Sequence, residues 1–387
     1  MNRAEDFDVV VLGGGMTGLA LAHHLAEQNA MQPAKQQQTL VIEPRSSYVR
    51  DKTWCYWQHE SSPFDAAISH RWHRWSVSYG DHTHVGCSRT TPYVRVDSAK
   101  YYTIAQQQIA ASNSVTLRLG DHASEVCAGP DHVQVTCKAS TVQAKQVIDT
   151  RPTAIPAGTL LQHFCGWEIT TDTDVFDPTT VTLMDFASHP ASGDIHFFYV
   201  LPFSPRHALV ETTHFSLQVA NEDRYTQELQ SYLQNRFELK QWQIKHREQG
   251  VIPMPKQTLD LARRRHANII PMGLHSDTTK ASTGYCYPHA QRQASRHVAA
   301  LFARQNAQAV PARSKLSRWF DGVFIDFLEQ HPELAGEVFL RLFTGVPTDA
   351  LVRFLSDRAR PDDYLRVMTA LPKWLFIRLA YQHAVSA

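Results

Sequence analysis

The sequence has no Cys-x-x-Cys pair, no apolar run long enough to cross a membrane, no internal repeat and no low-complexity segment. Each absence removes a class of protein. The six cysteines are scattered at Cys55, Cys87, Cys127, Cys137, Cys165 and Cys286, so neither a structural zinc site nor a redox dithiol is expected, and they read as reduced thiols. Without a stretch of about 18 apolar residues there is no transmembrane candidate. A formal net charge of +1 offers no electrostatic footprint for nucleic acid. The first strand begins near Phe7, which leaves no room for a signal peptide and predicts a cytoplasmic protein. What remains is ordinary: 387 residues, 43% hydrophobic and 19% charged, enough for two or three domains.

The most informative stretch is Phe7–Gly18. An apolar run, Val9 to Leu12, reads as a buried parallel strand and stops at Gly13. Gly13, Gly15 and Gly18 give the G-x-G-x-x-G spacing, with Met16 and Thr17 between, and a helical run follows from Leu19. Gly13 allows the tight turn, Gly15 lets a pyrophosphate approach the backbone, and Gly18 lets the helix pack on the strand. The anion would sit on the free N–H groups of that helix. A second apolar run, Thr39 to Ile42, ends in Glu43, placed to accept from ribose hydroxyls. The context on both sides of the turn predicts an adenine-dinucleotide site.

Beyond Glu43, the loop Pro44–Trp57 is dense in aromatic and cationic groups and reads equally as a cofactor contact or as a packed surface loop. His70, His73, His82 and His84 match no zinc spacing, so no metal is expected. A helix is expected over Lys100–Ala111, and strands over Ser114–Leu119 and His132–Lys138. The chain then returns to an apolar strand ending at Asp149, as where a discontinuous flavin domain rejoins its sheet. From Leu160 to Met254 the pattern is mostly β, with strands over Gln162–Thr171, Val181–Phe186, His196–Phe203 and Ala208–Phe215 and a helix near Asp223–Phe237. Asn268–Gly273 leads through a polar loop to Ser282-Thr283-Gly284-Tyr285 and a helical run to about Arg304, a third cofactor segment. Helices follow over Arg318–Gln330, Leu334–Phe343, Thr348–Ser356 and from Asp362 onward.

These elements predict an α/β protein with a Rossmann-type FAD-binding flavoprotein fold, a mostly antiparallel β substrate domain and a C-terminal helical region. The expected division is 1–60, 100–150 and 262–304 for the cofactor domain, 61–99 and 151–261 for the substrate domain, and 305–387 for the helical region.

Several blocks point further. Asp51-Lys-Thr-Trp, Phe164-Cys-Gly-Trp-Glu-Ile, Phe176-Asp-Pro-Thr-Thr-Val-Thr-Leu-Met-Asp-Phe and Phe198-Tyr-Val-Leu-Pro-Phe-Ser-Pro occur in that order. Ala208-Leu-Val-Glu, Gly250-Val-Ile-Pro-Met, Ser282-Thr-Gly-Tyr, Arg353-Phe-Leu-Ser-Asp and Leu371-Pro-Lys-Trp follow. In these blocks the chain resembles the bacterial lycopene cyclases, flavoproteins that close β-ionone rings on linear carotenoids. It departs from them at Gly273-Leu-His-Ser-Asp and Ala281-Ser-Thr-Gly-Tyr, where the family has Ala-Gly-Gly and Pro-Ser-Thr-Gly-Tyr.

The resemblance implies a cyclisation without net electron transfer, needing FAD in its reduced form and NAD(P)H only as reductant. The substrate would be lycopene or a related linear carotenoid. Gly13, Gly15, Met16, Thr17, Gly18, Glu43, Asp149, Gly273, Thr283 and Gly284 are the cofactor candidates. Protonating an alkene needs an acid that keeps its proton at neutral pH, and a carboxyl in an apolar wall qualifies because burial penalises its charged form. Glu211 falls on the family's acid, though alternation alone also allows a strand glutamate facing water. Asp185 is the second catalytic candidate, as proton acceptor or orienter, and Glu168 is weaker. A polyene enters from a membrane. The stretch Tyr364–Ala387, with Arg366, Lys373 and Arg378 but no acidic residue, reads either as a helix on the inner membrane surface or as a packed terminal helix with a basic face. The rival readings are an FAD monooxygenase or prenyl reductase on the same fold and a non-enzymatic polyene binder.

Overall fold

The computed structural model describes residues 5–138, 140–152, 154–186, 193–256, 266–273, 278–303 and 313–386. The expected boundaries at 261–262 and 304–305 and residues 274–277 of the polar loop after Gly273 lie outside the described residues. The first sheet is parallel at its centre, in the order β8 (Val115–Leu119), β2 (Thr39–Glu43), β1 (Glu5–Leu12), β11 (Thr141–Asp149). β11 is shared along its length. Its first half pairs antiparallel with β10 (Val133–Cys137), which carries β9 (Ala123–Ala128), and its end pairs in parallel with β17 (Ile269–Pro271). Val9, Val10 and Val11 of β1 are fully buried, as a strand covered on both faces must be. α1 (Met16–Met31), α2 (Ser98–Ala110) and α4 (Tyr287–Phe302) pack against this sheet and share one core with it.

The second sheet has the order β16 (Gln243–Met254), β12 (Leu160–Thr170), β15 (His207–Ser216), β14 (Ile195–Ser204), β13 (Thr180–Phe186), β5 (Arg74–Tyr79), β6 (His82–Cys87). Every pair is antiparallel except β13 with β5. A third, small sheet of β3 (Thr53–Trp57), β7 (Tyr93–Asp97) and β4 (Ile68–Trp72) divides its buried residues between the two main cores.

Side-chain alternation gives the second sheet two different faces. Its outer face sends Trp167, Phe198, Val210 and their neighbours against α3 (Glu222–Phe237). Its inner face sends Leu160, Phe197, Leu209 and Phe215 towards the C-terminal helices. These are α5 (Lys315–Gln330), α6 (Ala335–Gly345), α7 (Thr348–Leu355), α8 (Pro361–Ala370) and α9 (Lys373–Ser386). The helical stretch expected from Asp362 is thus two helices. They part at Leu371, held extended with ψ 157°, because the following Pro372 disfavours the helical conformation in the residue before it.

Candidate active site

The glycine turn is built as its spacing demands. Gly13 has φ 97°, a left-handed conformation that favours glycine, and its N–H donates to the Ile42 carbonyl at 2.8 Å. A methyl group at Gly18 would overlap the Gly13 carbonyl, whereas one at Gly15 would meet open space. Gly15 caps α1 without any side-chain hydrogen bond, so the first-turn N–H groups, including those of Met16 and Thr17, face no competing cap. Thr150 braces the turn, its hydroxyl donating to the Leu12 and Gly13 carbonyls at 2.9 and 3.0 Å.

Glu43 closes the other side. Its carboxylate accepts from the Gly14 amide at 2.6 Å and from the Arg45 amide and Nε at 2.9 and 2.8 Å. Burial alone would raise its pKa, but Arg45 and the Gly14 amide outweigh burial and hold it below the usual range. Oε2 takes only one donor and keeps capacity for a sugar hydroxyl. Asp149 takes a different place from that expected. Arg151 occupies its carboxylate through Nε and Nη2 at 3.0 and 2.9 Å, so it anchors the strand end. Gly273, φ 99°, packs over the Thr150 backbone, and Thr283 and Gly284 lie in the turn before α4.

That turn is also one wall of a cavity of about 470 Å³ between the inner face of the second sheet and the C-terminal helices. Its lining is dominated by Phe164, Leu183, Phe197, Phe215, Phe339 and Phe354, with Ser282, Thr283 and Gly284 to one side. It reaches the surface beside α8 and α9, where Leu365 and Ile377 line it and are 62% and 58% exposed. Few polar groups interrupt the apolar wall, and two of them are glutamates.

Glu211 is buried, with Oε1 accepting from the Thr213 hydroxyl at 2.8 Å. Burial, then the neighbouring Glu248, push its pKa up to about 8, and the Thr213 hydrogen bond offsets only part of this. Its carboxyl therefore retains a proton at neutral pH in an apolar enclosure. Glu248 on β16 is the second glutamate of the wall; Oε2 accepts from the Thr53 hydroxyl at 2.8 Å, and burial raises its pKa as well. Sequence reasoning missed it. The signal present was its alternation with Ile252 and Met254 on the same strand, two residues before Gly250.

Asp185 does not join them. Strict alternation with Val181 and Leu183 would turn it inward, but a register irregularity between Thr182 and Asp185 reverses the order, as bulges do. Its carboxylate instead accepts from the Tyr232 hydroxyl of α3 at 2.8 Å, with Arg236 at 3.4 Å. The second glutamate of the cavity is Glu248; the third carboxylate that lines it, Asp321, is paired with Lys280 and Arg313. Glu168 binds Arg50 at 2.8 Å and His207 at 2.9 Å, which fits an anchoring role.

Below the Ser282–Tyr285 turn lies a buried charge cluster. Lys280 Nζ meets Asp321 at 2.7 Å and Asp357 at 3.1 Å, the Ser282 hydroxyl donates to Asp321 at 2.6 Å, and Arg313 binds both aspartates. Two cations and two anions balance, and they fix the turn to α5 and to the end of α7. On the outer face of the sheet, Glu228 of α3 accepts from His214 at 2.8 Å, Thr212 at 2.7 Å and Arg224 at 2.9 Å. His196 stacks on His214 with centroids 4.2 Å apart and planes within 1°. Parallel stacking aims the two rings alongside one another, a poor geometry for a shared metal although three donors lie within 4.8 Å.

A family model described as Lycopene cyclase protein matches residues 8–380. A lycopene beta-cyclase from Pantoea ananas is 22% identical, with 95% of each chain covered. Among solved structures, a geranylgeranyl bacteriochlorophyll reductase-like protein from Thermoplasma acidophilum superposes with a TM-score of 0.62 at 14% identity, covering 97% of this chain and 99% of that one. A flavoprotein/dehydrogenase from Cytophaga hutchinsonii gives 0.61 at 12% identity, covering 98% and 99%. These structural likenesses establish the flavoprotein fold.

Proposed function

Because the chain belongs to the lycopene cyclase family, we propose that it closes β-ionone rings at the ends of lycopene or a related linear carotenoid, without net redox and with Glu211 as the acid. The observation that carries this reading is a carboxyl held protonated to about pH 8 in the wall of an apolar cavity. Protonation of a terminal double bond by Glu211 leaves a cation that the neighbouring alkene attacks, and loss of a ring proton completes an isomer of unchanged mass. The aromatic and aliphatic walls exclude water that would otherwise capture the cation.

The dinucleotide site fits FAD. The α1 N-terminus carries no side-chain cap, Gly15 faces open space, and the Oε1 of Gln162 is buried against Gly284 with no hydrogen-bond partner among the described residues. Gly13, Gly15, Met16, Thr17, Gly18, Glu43, Gly273, Thr283 and Gly284 would hold it, with Asp149 supporting through Arg151. Bound FAD, kept reduced by NAD(P)H, supplies an electron-rich ring whose charge favours a nearby cation in a dry site.

A polyene insoluble in water must come from lipid. The cavity mouth is bordered by the exposed apolar groups Leu365, Met368 and Ile377 of α8 and α9, with Lys373 beside them, and α9 also carries the exposed Trp374 and a second cation, Arg378. No helix of the described residues is long and apolar enough to cross a membrane. The exposed apolar face and its cations suit peripheral attachment to the inner, anionic surface of the cell membrane.

The test is an anaerobic assay with lycopene in anionic liposomes, purified protein, FAD and dithionite, and no nicotinamide. The expected products are mono- or bicyclic at unchanged mass, with the protein floating with the liposomes. A product of altered mass, or none with flavin bound, sinks the cyclase reading in favour of a redox enzyme. Protein that stays in solution sinks the membrane assignment.

A further inference from the structure

The inner face of the second sheet carries a row of residues in register across four strands. Tyr199 of β14 pairs with Glu211 of β15, Glu211 with Gly166 of β12, and Gly166 with Glu248 of β16. All four point to the same side, so two glutamates two strands apart face each other over a residue with no side chain. A Cβ at Gly166 would lie 3.2 Å from Glu248 Cγ and 3.6 Å from Glu211 Oε2. Both acids lean into the space that glycine leaves.

The surroundings of the two carboxyls differ. Glu248 feels Arg95 of β7 and Arg50 and Lys52 of the loop before β3, and takes a hydrogen bond from Thr53. Glu211 has Thr213 and Glu248 but, among the described residues, no cation acting on it. The Cys55 thiol is close enough to feel both glutamates. Two like carboxyls in one dry site do not both ionise readily; the first proton lost leaves from the group nearer the cations. Of the two, Glu248 is then the one that ionises first, and Glu211 the one that keeps its proton.

Resting on the cyclisation reading, the geometry points to Glu248 as a second catalytic carboxyl, the base that takes the ring proton after Glu211 has delivered its own. Glu211 gives a proton to the terminal alkene carbon, whose π pair forms the new C–H bond. The next alkene closes the C–C bond, and the C–H bond beside the ring cation breaks, its pair forming the ring double bond and its proton passing to Glu248. One proton enters and one leaves, no electron is transferred, and transfer between the two carboxyls restores the resting pair. Placing acid and base on opposite sides of Gly166 lets one wall serve both ends of the proton path.

The test compares wild type with Glu248→Gln, which preserves shape. Infrared titration of each flavin-loaded protein without substrate reads the protonated carboxyl directly. In wild type its band is expected to titrate near pH 8, and in Glu248→Gln at lower pH, because the neighbouring negative charge is gone. In the liposome assay with lycopene, Glu248→Gln is expected to lose about 100-fold in ring formation and to release a larger share of rings with a displaced double bond. A variant with wild-type rate and product ratio overturns the assignment, as does a slowed variant with unmoved band and unchanged ratio, which marks a structural role. A band that moves between wild type and Glu248→Gln, with no ring product from wild type, overturns the cyclisation reading, and the base role with it, while the carboxyl pair stands.

Discussion

Two glutamates sit against opposite faces of the same β-sheet and have opposite acidities. Glu211, on the inner face, is pushed up to about 8, whereas Glu228, reaching the outer face from α3, is held down to about 2. Burial raises both. The difference lies in what else each meets: His214, His196 and Thr212 surround Glu228, whereas Glu211 meets one hydroxyl and another acid. Side-chain alternation on β15 separates these environments by one residue, since Thr212 and His214 point outward and Glu211 and Thr213 inward. The outer face uses a carboxylate as a fastener, and the inner face withholds partners so that a carboxyl keeps its proton.

The largest effect is expected at the inner site. Glu211→Gln should remove a factor of about 10² to 10⁴ in ring formation while flavin binding and fold persist, as measured by product chromatography on lycopene. The variant should also gain stability relative to wild type as pH rises. A carboxyl raised from 4.5 to about 8 contributes stability that is complete below 4.5 and lost as pH climbs through 8. A stability advantage absent at pH 8 in urea titrations would contradict the burial of that proton.

Glu228→Gln should instead cost about 2 kcal/mol at neutral pH, the scale of hydrogen bonds to a charged group. The sign with pH is reversed. A carboxylate lowered from 4.5 to about 2 contributes stability present above 4.5 and lost as pH falls through 2. Wild type should therefore weaken between those values and the variant less so, with activity nearly unchanged. The smallest effect on stability is expected from Gly166→Ala. Its methyl would sit 3.1 Å from Leu209 and 3.2 Å from Glu248 Cγ, wedging the two acids apart. Ring formation should fall roughly tenfold through misplacement, at a stability cost of about 1 kcal/mol. Wild-type turnover in that variant would show that the gap between the acids is not used.

What was legible in the sequence was local. The glycine turn, Glu43 and the β1–α1 unit follow from contiguous residues whose spacing has one structural solution, and β12 to β15 follow from alternation. Glu211 could be singled out because it combines an apolar strand with a recognisable block. The pairing of Glu248 with Glu211 could not, because it depends on β16 lying beside β12, a contact between segments some 80 residues apart, and on Gly166 separating them. In the block around Gly166 the eye goes to Glu168, yet it is the glycine that shapes the wall. Asp185 misled for a different reason: a bulge reverses alternation, and nothing in Thr180–Phe186 announces one. The division of the last helical stretch was legible at Pro372 but needed the rule for the residue before proline.

The row through Gly166 constrains how this protein can change over generations. A single-residue insertion or deletion within β12 would slide Trp167 or Cys165 into line with the two glutamates and turn the neighbouring side chains to the opposite face. Such an event removes the acid pair in one step, with no intermediate of partial function. The wall must therefore drift by substitution at constant length. The roof formed by α8 and α9 is under no such bond of register, so its loops are free to lengthen or shorten and to fit the cavity to molecules of different length.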